Sequence, residues 1–282
     1  MSQAKALFEA GKLDEAVEEL LREVKANPND ISRRTFLFEL SCFAGDWDRA
    51  ERQLDVIGHQ SEKAEAGVQV YRNLIRAERD RRRLLPDCFQ PHFLSEPPPY
   101  VDMHLDAINR LREGNVEQAR RTLDLAEEER PAFKGTLNGQ PFTDLRDYDD
   151  LLGPVLETIV QDKYTWIPFE QIVRLQIEEP KQLRDLLWVG AVIQTTDNQL
   201  KAYLPTLYPG TSDHQNQMAR LGRMTDWRQV GDELYLGAGL HLLAVDGEEK
   251  PLLEVRGVEF EHDGRDAGTP VRAEGEGPSV ES

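Results

Sequence analysis

Three carboxylates lie within four residues near the middle of the chain, in the segment Arg146-Asp147-Tyr148-Asp149-Asp150. Grouped acids of this kind can bind a hard metal ion or act as a general acid and base. Acids this close in sequence point in different directions on a regular backbone. The pattern therefore favours a structural role, as a cap for Leu151-Leu152 or as an ion pair with Arg146. The alternative is an enzyme, which requires Asp147, Asp149 and Asp150 to converge around an open pocket.

Cys88, His92 and His104 form a second candidate group, because thiolates and imidazoles are the usual ligands of zinc. Their spacing fits no compact zinc module, and the sequence shows no evident fourth ligand. It also shows no glycine-rich phosphate loop, no nucleophile elbow and no helix with paired histidines. We therefore predict no catalytic residues, no metal and no cofactor, and we expect the protein not to be an enzyme.

The elements that position these residues begin with a short phrase that occurs three times. Each copy has a Gly, an apolar residue two places on, an acid next, and an Ala five places after the Gly. The Gly permits the left-handed turn that ends one helix, and the small Ala lets the following helix pack closely. The repeat positions are Gly11 and Ala16, Gly45 and Ala50, and Gly114 and Ala119.

The spacing of these copies indicates a helical repeat. The first two are 34 residues apart, which is the period of tetratricopeptide helix pairs. The third follows 69 residues after the second, so we expect a degenerate pair between them. The pattern predicts an array of helical hairpins over residues 1–131, which Pro131 ends. An unrelated helical bundle is the alternative.

The pattern changes after residue 131. Residues 155–160 and 164–168 are short apolar stretches that flank a turn, and residues 173–178 alternate strictly between apolar and polar types. Such stretches predict a β-rich domain over residues 132–260. The predicted fold class is α+β, with an N-terminal tetratricopeptide-like α-helical hairpin array followed by a small, mostly antiparallel β-rich domain. Residues 261–282 have few apolar side chains and are predicted to be a disordered tail.

Charge and composition restrict the possible partners and the compartment. The chain of 282 residues has 34 basic and 52 acidic residues, and residues 86–282 contain 19 and 36 of these. This acidic balance argues against binding to nucleic acid or to an anionic membrane. No apolar run approaches the roughly 18 residues of a membrane span, and no signal peptide is visible. Two cysteines make no disulfide framework, so we expect a cytoplasmic protein.

Residues 62–84 are predicted to form a long amphipathic helix with a basic end. Cations at a helix C-terminus complement the helix dipole, so the pattern favours a solvated end. The alternative is that this end contacts an acidic surface, either of the C-terminal half or of a partner. The arginines at this end are Arg76, Arg79, Arg81, Arg82 and Arg83.

Three segments together resemble the ImpE/TagJ family of bacterial type VI secretion accessory proteins. They are residues 34–50, residues 146–157, and residues 203–210 taken with 220–227. The most specific part is the pair of acids before Leu-Leu-Gly-Pro-Val-Leu-Glu. The resemblance covers roughly residues 1–258.

The resemblance implies a cytoplasmic, non-enzymatic adaptor. A member of this family is expected to engage an N-terminal helix of the small subunit of the contractile sheath. It would thereby be linked to sheath recycling by the AAA+ ATPase. No catalytic residues carry over from the family. The alternative is a generic helical-repeat scaffold for another complex.

A groove for such a helix is predicted on the first helices of the repeats, which usually line the concave side of an array. Side chains about one turn apart share a helix face, which groups the candidates. The predicted partner-binding residues are Arg33, Phe36, Leu40, Tyr71 and Leu74.

Overall fold

The computed structural model describes residues 2–60, 62–231 and 233–262. The predicted tail of residues 261–282 lies outside the described residues from position 263 onwards. The N-terminal half is helical. Its helices are α1 (Gln3–Glu9), α2 (Leu13–Ala26), α3 (Ile31–Phe43), α4 (Trp47–Gly58), α5 (Glu62–Arg81), α6 (Leu84–Asp87), α7 (Pro99–Arg112) and α8 (Val116–Glu129).

The repeated phrase lies at the turns of three helix pairs. Gly11, Gly45 and Gly114 have φ angles of +79°, +72° and +82°, which a Gly adopts without strain. Ala16, Ala50 and Ala119 are fully buried on α2, α4 and α8, the second helices of their pairs. Between the second and third pairs, the long α5 is followed only by the four-residue α6.

The described part of the C-terminal half consists mainly of short strands, with one short α-helix, α9 (Gln217–Arg220), and four short 3-10 helices. The strands are β1 (Gly135–Leu137), β2 (Gln140–Phe142), β3 (Leu145–Asp147), β4 (Val155–Val160), β5 (Lys163–Pro168), β6 (Ile172–Ile177), β7 (Trp188–Thr195), β8 (Gln199–Pro205), β9 (Thr225–Gln229), β10 (Tyr235–Gly239), β11 (Leu242–Val245), β12 (Glu248–Pro251) and β13 (Gly257–Phe260).

The strands form three antiparallel sheets. The largest has the order β2-β1-β13-β6-β7-β8-β4-β5, and two smaller sheets have the orders β12-β11-β3 and β10-β9. The hairpins β4–β5 and β7–β8 have the turns that the sequence predicts, around residues 161–162 and 196–198. The predicted α+β fold class is confirmed.

The helical array and the β-rich half share one hydrophobic core. Its buried side chains run from Ala4 in α1 to Phe260 in β13. The connector between α6 and α7 also joins the halves, because the backbone of His92 bonds to Tyr164 and Trp166 of the edge strand β5, at 2.8 and 2.9 Å. The division into residues 1–131 and 132–260 stays a prediction.

Candidate functional site

The predicted groove residues occupy different environments. Leu40 and Leu74 are fully buried, so neither can contact a partner in this conformation. Phe36 is half-buried and packs edge-on against Phe8 of α1, with ring centroids 5.8 Å apart. Arg33 is half-exposed and forms ion pairs with Asp30 and Glu23 at 2.9 and 3.4 Å. Partner binding at these positions stays a prediction. The candidates whose side chains reach the surface are Arg33, Phe36 and Tyr71.

Tyr71 contacts the chain's own β-rich half. The guanidinium of Arg184 lies 5.1 Å from the ring centroid of Tyr71 and also donates a hydrogen bond to its hydroxyl group. Arg184 forms an ion pair with Glu39 of α3 at 3.2 Å. In the first helix pair, the ring centroid of Phe8 in α1 lies 4.9 Å from the guanidinium of Arg223. Two arginines of the β-rich half therefore cover part of the face on which the sequence predicts a groove.

Three of the five arginines at the basic end of α5 pair with acids of the β-rich half, although Arg76 and Arg83 stay largely exposed, with side chains that are 61% and 53% exposed. Arg76 pairs with Asp162 at 2.9 Å, Arg81 with Glu157 at 2.6 Å, and Arg82 with Asp213 at 2.5 Å. All three acids belong to the β-rich half, whose negative charge attracts these cations. The alternative, contact with an acidic surface of the C-terminal half, describes these three arginines, whereas Arg79 and Arg83 pair with acids of the helical half.

Arg81 and Glu157 form the buried centre of this contact. Burial lowers the pKa of Arg81, but the carboxylates of Glu157 and Glu78 outweigh this effect and raise it. Burial likewise raises the pKa of Glu157, and the charge of Arg81 outweighs this and lowers it. Trp188 donates its indole N–H to Glu78 at 3.0 Å. The pairing keeps both groups charged and fixes α5 against the sheet.

The acid cluster at residues 147–150 has a structural geometry. Asp147 accepts the N–H of Asp149 at 2.8 Å and contacts the imidazole of His241. Asp149 accepts the N–H of Leu151 at 2.8 Å and that of Gly237 at 2.7 Å. These are contacts of a cap that fixes a turn against β10, as the sequence interpretation expects.

Asp150 completes the cluster in the same manner. It accepts a hydrogen bond from Arg146 at 3.2 Å and another from the N–H of Tyr235 at 2.7 Å.

Of the three acids, only Asp149 lines the large cleft described below. Burial and then the charge of Asp147 raise the pKa of Asp149 to about 7, which is a common property of catalytic acids. Both of its oxygens, however, already accept backbone N–H groups.

The three candidate zinc ligands have other partners. Cys88 lies 3.1 Å from the Nε of Arg112, and the Nδ1 of His104 bonds to the carbonyl oxygen of Leu151 at 2.9 Å. The Nδ1 of His92 lies 3.1 Å from the carbonyl oxygen of Phe93. Within the described ranges, no group of three or more His, Cys, Asp and Glu side chains is arranged to hold a metal ion.

A cleft of about 970 Å³ opens between the end of α5 and the β-rich half. Its walls come from the α5–α6 junction, the turn after Asp149, the loop of residues 209–216 and the ribbon β9–β10. The apolar lining includes Leu84, Leu85, Leu152, Trp227 and Leu236. The polar lining includes Arg82, Asp213, His214, Asn216 and Arg228.

The repeat turns contact a segment of the β-rich half that also supplies part of the cleft wall. A side chain at Gly11 would meet the sulfur of Met218, and one at Gly45 would meet Ser212. A side chain at Gly231 would meet Val116, which follows the third repeat turn. One segment of the β-rich half, residues 212–231, thus packs on the first two turns and on the start of α8, which follows the third.

Most of the chain resembles known proteins. Residues 139–259 match the family model described as ImpE protein. The type VI secretion system accessory component TagJ of Pseudomonas aeruginosa is 36% identical over 259 residues, which cover 92% of this chain and 91% of that protein. The chain belongs to the ImpE/TagJ family. The resemblance seen in the sequence is thereby confirmed.

A solved structure has the same fold as this ImpE/TagJ chain. The crystal structure of protein VPA1032 from Vibrio parahaemolyticus matches it with a TM-score of 0.85 at 26% identity, and covers 93% of this chain and 98% of its own. In residues 2–60, 62–231 and 233–262, no helix has both the length and the apolarity needed to cross a bilayer.

Sequence reasoning missed the buried ion pair at the centre of the fold, although one signal pointed to it. Glu157 interrupts the apolar stretch of residues 155–160, whose neighbours on both sides are buried. An acid in the middle of a buried strand requires a cationic or hydrogen-bonding partner. The basic end of α5 supplies that partner, but only the structure shows which arginine reaches it.

Proposed function

We propose that this protein is a non-enzymatic cytoplasmic adaptor of a bacterial type VI secretion system. It binds a helical segment of the small subunit of the contractile sheath. It thereby links that subunit to sheath assembly or to recycling by the AAA+ ATPase. Family membership supports the secretion role, because the Pseudomonas aeruginosa relative is named an accessory component of such a system.

The cleft between the array and the β-rich half is the observation that carries the proposal. Its lining combines apolar side chains with charged groups, which is the composition of surfaces that bind an amphipathic helix. Two turns of helix, about 11 Å long and 10 Å wide, fill roughly 900 Å³, which is comparable to the cleft. The groove predicted on α3 and α5 is partly covered by Arg184, so the cleft is the better candidate.

The geometry of the acids supports a role without catalysis. Every carboxylate oxygen of Asp147 and Asp149 has a named partner within the protein, and these partners hold turns in place. A catalytic acid or base needs a free oxygen that faces the substrate. The generic scaffold stays the alternative, and a different partner in the same cleft would support it.

The test is calorimetry with the synthetic N-terminal helix of the small sheath subunit from the same genome. Leu85→Lys places a charge on the cleft wall, and we expect it to weaken binding at least tenfold. Leu125→Lys is the matched control, because Leu125 is 54% exposed on α8, outside the cleft. Equal melting temperatures of the two variants exclude a loss of folding.

Arg33→Glu tests whether the peptide binds instead in the groove predicted on the helical array. Loss of binding in this variant, with normal binding by Leu85→Lys, would place the helix on the array instead. No binding of the peptide by the wild-type chain would contradict the sheath-adaptor function and favour the generic scaffold.

A further inference from the structure

The N–H groups along one edge of the small ribbon β9–β10 already have partners. The backbone N–H groups of alternate residues in β10 donate to side chains of the β-rich half, away from β9. These bonds are Tyr235 to Asp150 at 2.7 Å, Gly237 to Asp149 at 2.7 Å, and Gly239 to Thr211 at 2.8 Å. Because successive backbone groups of a strand point to opposite sides, the intervening residues of β10 face β9.

The other edge of the ribbon, on β9, has no strand partner among the described residues. Leu236 and Ala238 face β9 opposite Arg228 and Asp226, so these two residues of β9 use their backbone groups within the ribbon. The backbone groups of residues 225, 227 and 229 therefore point outwards. The N–H of Trp227 donates to the carboxylate of Asp226 at 2.9 Å, and no strand of the described residues pairs with this edge.

Exposed apolar side chains occur in and around the ribbon, and one of them, Met224, adjoins β9. Among the described residues, three of the six exposed large apolar side chains are Met218, Met224 and Tyr235. Met224 directly precedes β9, and Tyr235 lies opposite Gln229 in the ribbon. An unpaired strand edge next to exposed apolar side chains is a surface for another strand.

The order of residues in β9 is complementary to itself. Antiparallel pairing of two β9 strands, centred on Trp227, places Asp226 of each copy opposite Arg228 of the other. Thr225 then lies opposite Gln229, and the outward backbone groups of the two Trp227 residues bond to each other. Oppositely charged side chains directly across two strands stabilise their pairing. Asp226 and Arg228 are both exposed.

We propose that two copies of this chain associate through the outer edge of β9, in antiparallel register centred on Trp227. The result is a continuous sheet with the order β10-β9-β9-β10 and a two-fold axis. An interface of this kind uses the same surface on both copies. In the isolated chain, the carboxylate of Asp226 accepts the N–H of Trp227 and pairs with His214 at 3.3 Å. The side chains of Asp226 and His214 are 54% and 25% exposed.

The test is sedimentation velocity of the full chain between about 1 and 100 µM. The wild type is expected to shift from one to two copies in this range. Asp226→Arg puts Arg opposite Arg, and Arg228→Asp puts Asp opposite Asp. Each variant alone is expected to raise the dimer Kd about tenfold or more, because like charges then face each other at two positions.

An equal mixture of the two variants gives the decisive result. Chains with Asp226→Arg and chains with Arg228→Asp are complementary at both positions, so the mixture is expected to regain the wild-type Kd. Asp124→Arg, an equal charge change on exposed α8, is the control and should leave the Kd unchanged.

Gln229→Pro tests the backbone separately, because it removes an outward N–H without touching the ribbon's internal bonds. We expect this variant to lose the dimer and keep its melting temperature. A wild type that stays monomeric at 100 µM would overturn the proposal. So would a dimer that persists in both single variants, or a mixture that stays monomeric.

Discussion

The guanidinium of Arg81, at the end of α5, donates two buried hydrogen bonds to the carboxylate of Glu157 in β4, at 3.0 and 2.6 Å. The two side chains are 3% and 0% exposed. Arg81 also donates to the carbonyl oxygen of Leu207 at 2.7 Å. This pair joins the helical array to the largest sheet. The array supplies the buried cation, Arg81, and the sheet supplies the buried anion, Glu157, that neutralises it.

Glu157→Gln is expected to lower the free energy of unfolding by about 3–5 kcal/mol, because it leaves the buried charge of Arg81 without its main partner. Urea denaturation measures the change. Asp162→Asn is the matched control, because it breaks the exposed Arg76–Asp162 pair of the same interface and should cost less than about 1 kcal/mol. An equal loss of unfolding free energy in the two variants would show that burial does not determine how much the Arg81–Glu157 pair contributes to stability.

The fragment of residues 1–134 is expected to keep a helical circular dichroism spectrum but to melt below the full chain. It retains the helix pairs with their local contacts. It loses Glu157 and Trp188, the partners of Arg81 and Glu78. A fragment as stable as the full chain would show that the halves are independent. An unfolded fragment would contradict the predicted division at residue 131.

The helical array could be predicted because its signals are local. Gly45 and Ala50 are five residues apart, and one turn geometry accounts for both. The hairpin β4–β5 is likewise defined by its apolar stretches and the turn between them. Contacts between distant elements leave no such pattern. Arg184 and Tyr71 are 113 positions apart, and nothing near either residue identifies the other.

For the same reason, the sequence gives only part of the candidate site. Its composition shows that α5 ends in cations and that the second half is acidic. Which cation meets which acid depends on the packing of the whole sheet against α5. Leu40 and Leu74 each lie about one turn from another predicted groove residue, but both are buried in the core. Helical periodicity does not distinguish a face that packs inside the protein from one that binds a partner.

His104 is expected to make stability depend on pH. Burial lowers its pKa to about 4, below the ordinary value near 6.5 of the unfolded chain. The unfolded state therefore binds more protons between these values, so the contribution of neutral His104 is complete above pH 6.5 and is lost as the pH falls towards 4. Between pH 7 and pH 5 the loss is about 2 kcal/mol.

Urea denaturation of the wild type and of His104→Asn at both pH values measures this contribution. Asn places an N–H donor near the Nδ1 position, which bonds to the carbonyl oxygen of Leu151, and it does not titrate. The variant is expected to lose about 2 kcal/mol less than the wild type between pH 7 and pH 5. An identical pH dependence would show that His104 is not the responsible group.

Asp149→Asn is expected to destabilise the protein by about 1–3 kcal/mol. The amide turns one oxygen into a donor, which then faces the N–H of Leu151 or Gly237 without an acceptor. Asp197→Asn, at an exposed turn, is the control and should change stability by less than about 0.5 kcal/mol. An unchanged stability of Asp149→Asn, together with loss of a measurable turnover, would instead favour the enzyme hypothesis.

Gly45→Ala is expected to cost more stability than Gly114→Ala, although both positions have a left-handed φ angle. Both variants carry a similar backbone strain of about 1–2 kcal/mol, because an L-residue is unfavourable at a left-handed φ angle. At Gly45 the added methyl would also lie 2.7 Å from the Oγ of Ser212, whereas nothing lies within 4 Å at Gly114. Overpacking against the β-rich half adds about 1–3 kcal/mol at Gly45 alone.

The contact with Ser212 can be tested by removing it. Gly45→Ala combined with Ser212→Gly makes room for the methyl, so the combined variant is expected to recover most of the difference from Gly114→Ala. Thermal and urea denaturation of the wild type, the three single variants Gly45→Ala, Gly114→Ala and Ser212→Gly, and the combined variant separates backbone strain from crowding. If Gly45→Ala and Gly114→Ala cost the same, the second repeat turn does not pack on the β-rich half, and the segment of residues 212–231 is held by the first turn and the start of α8.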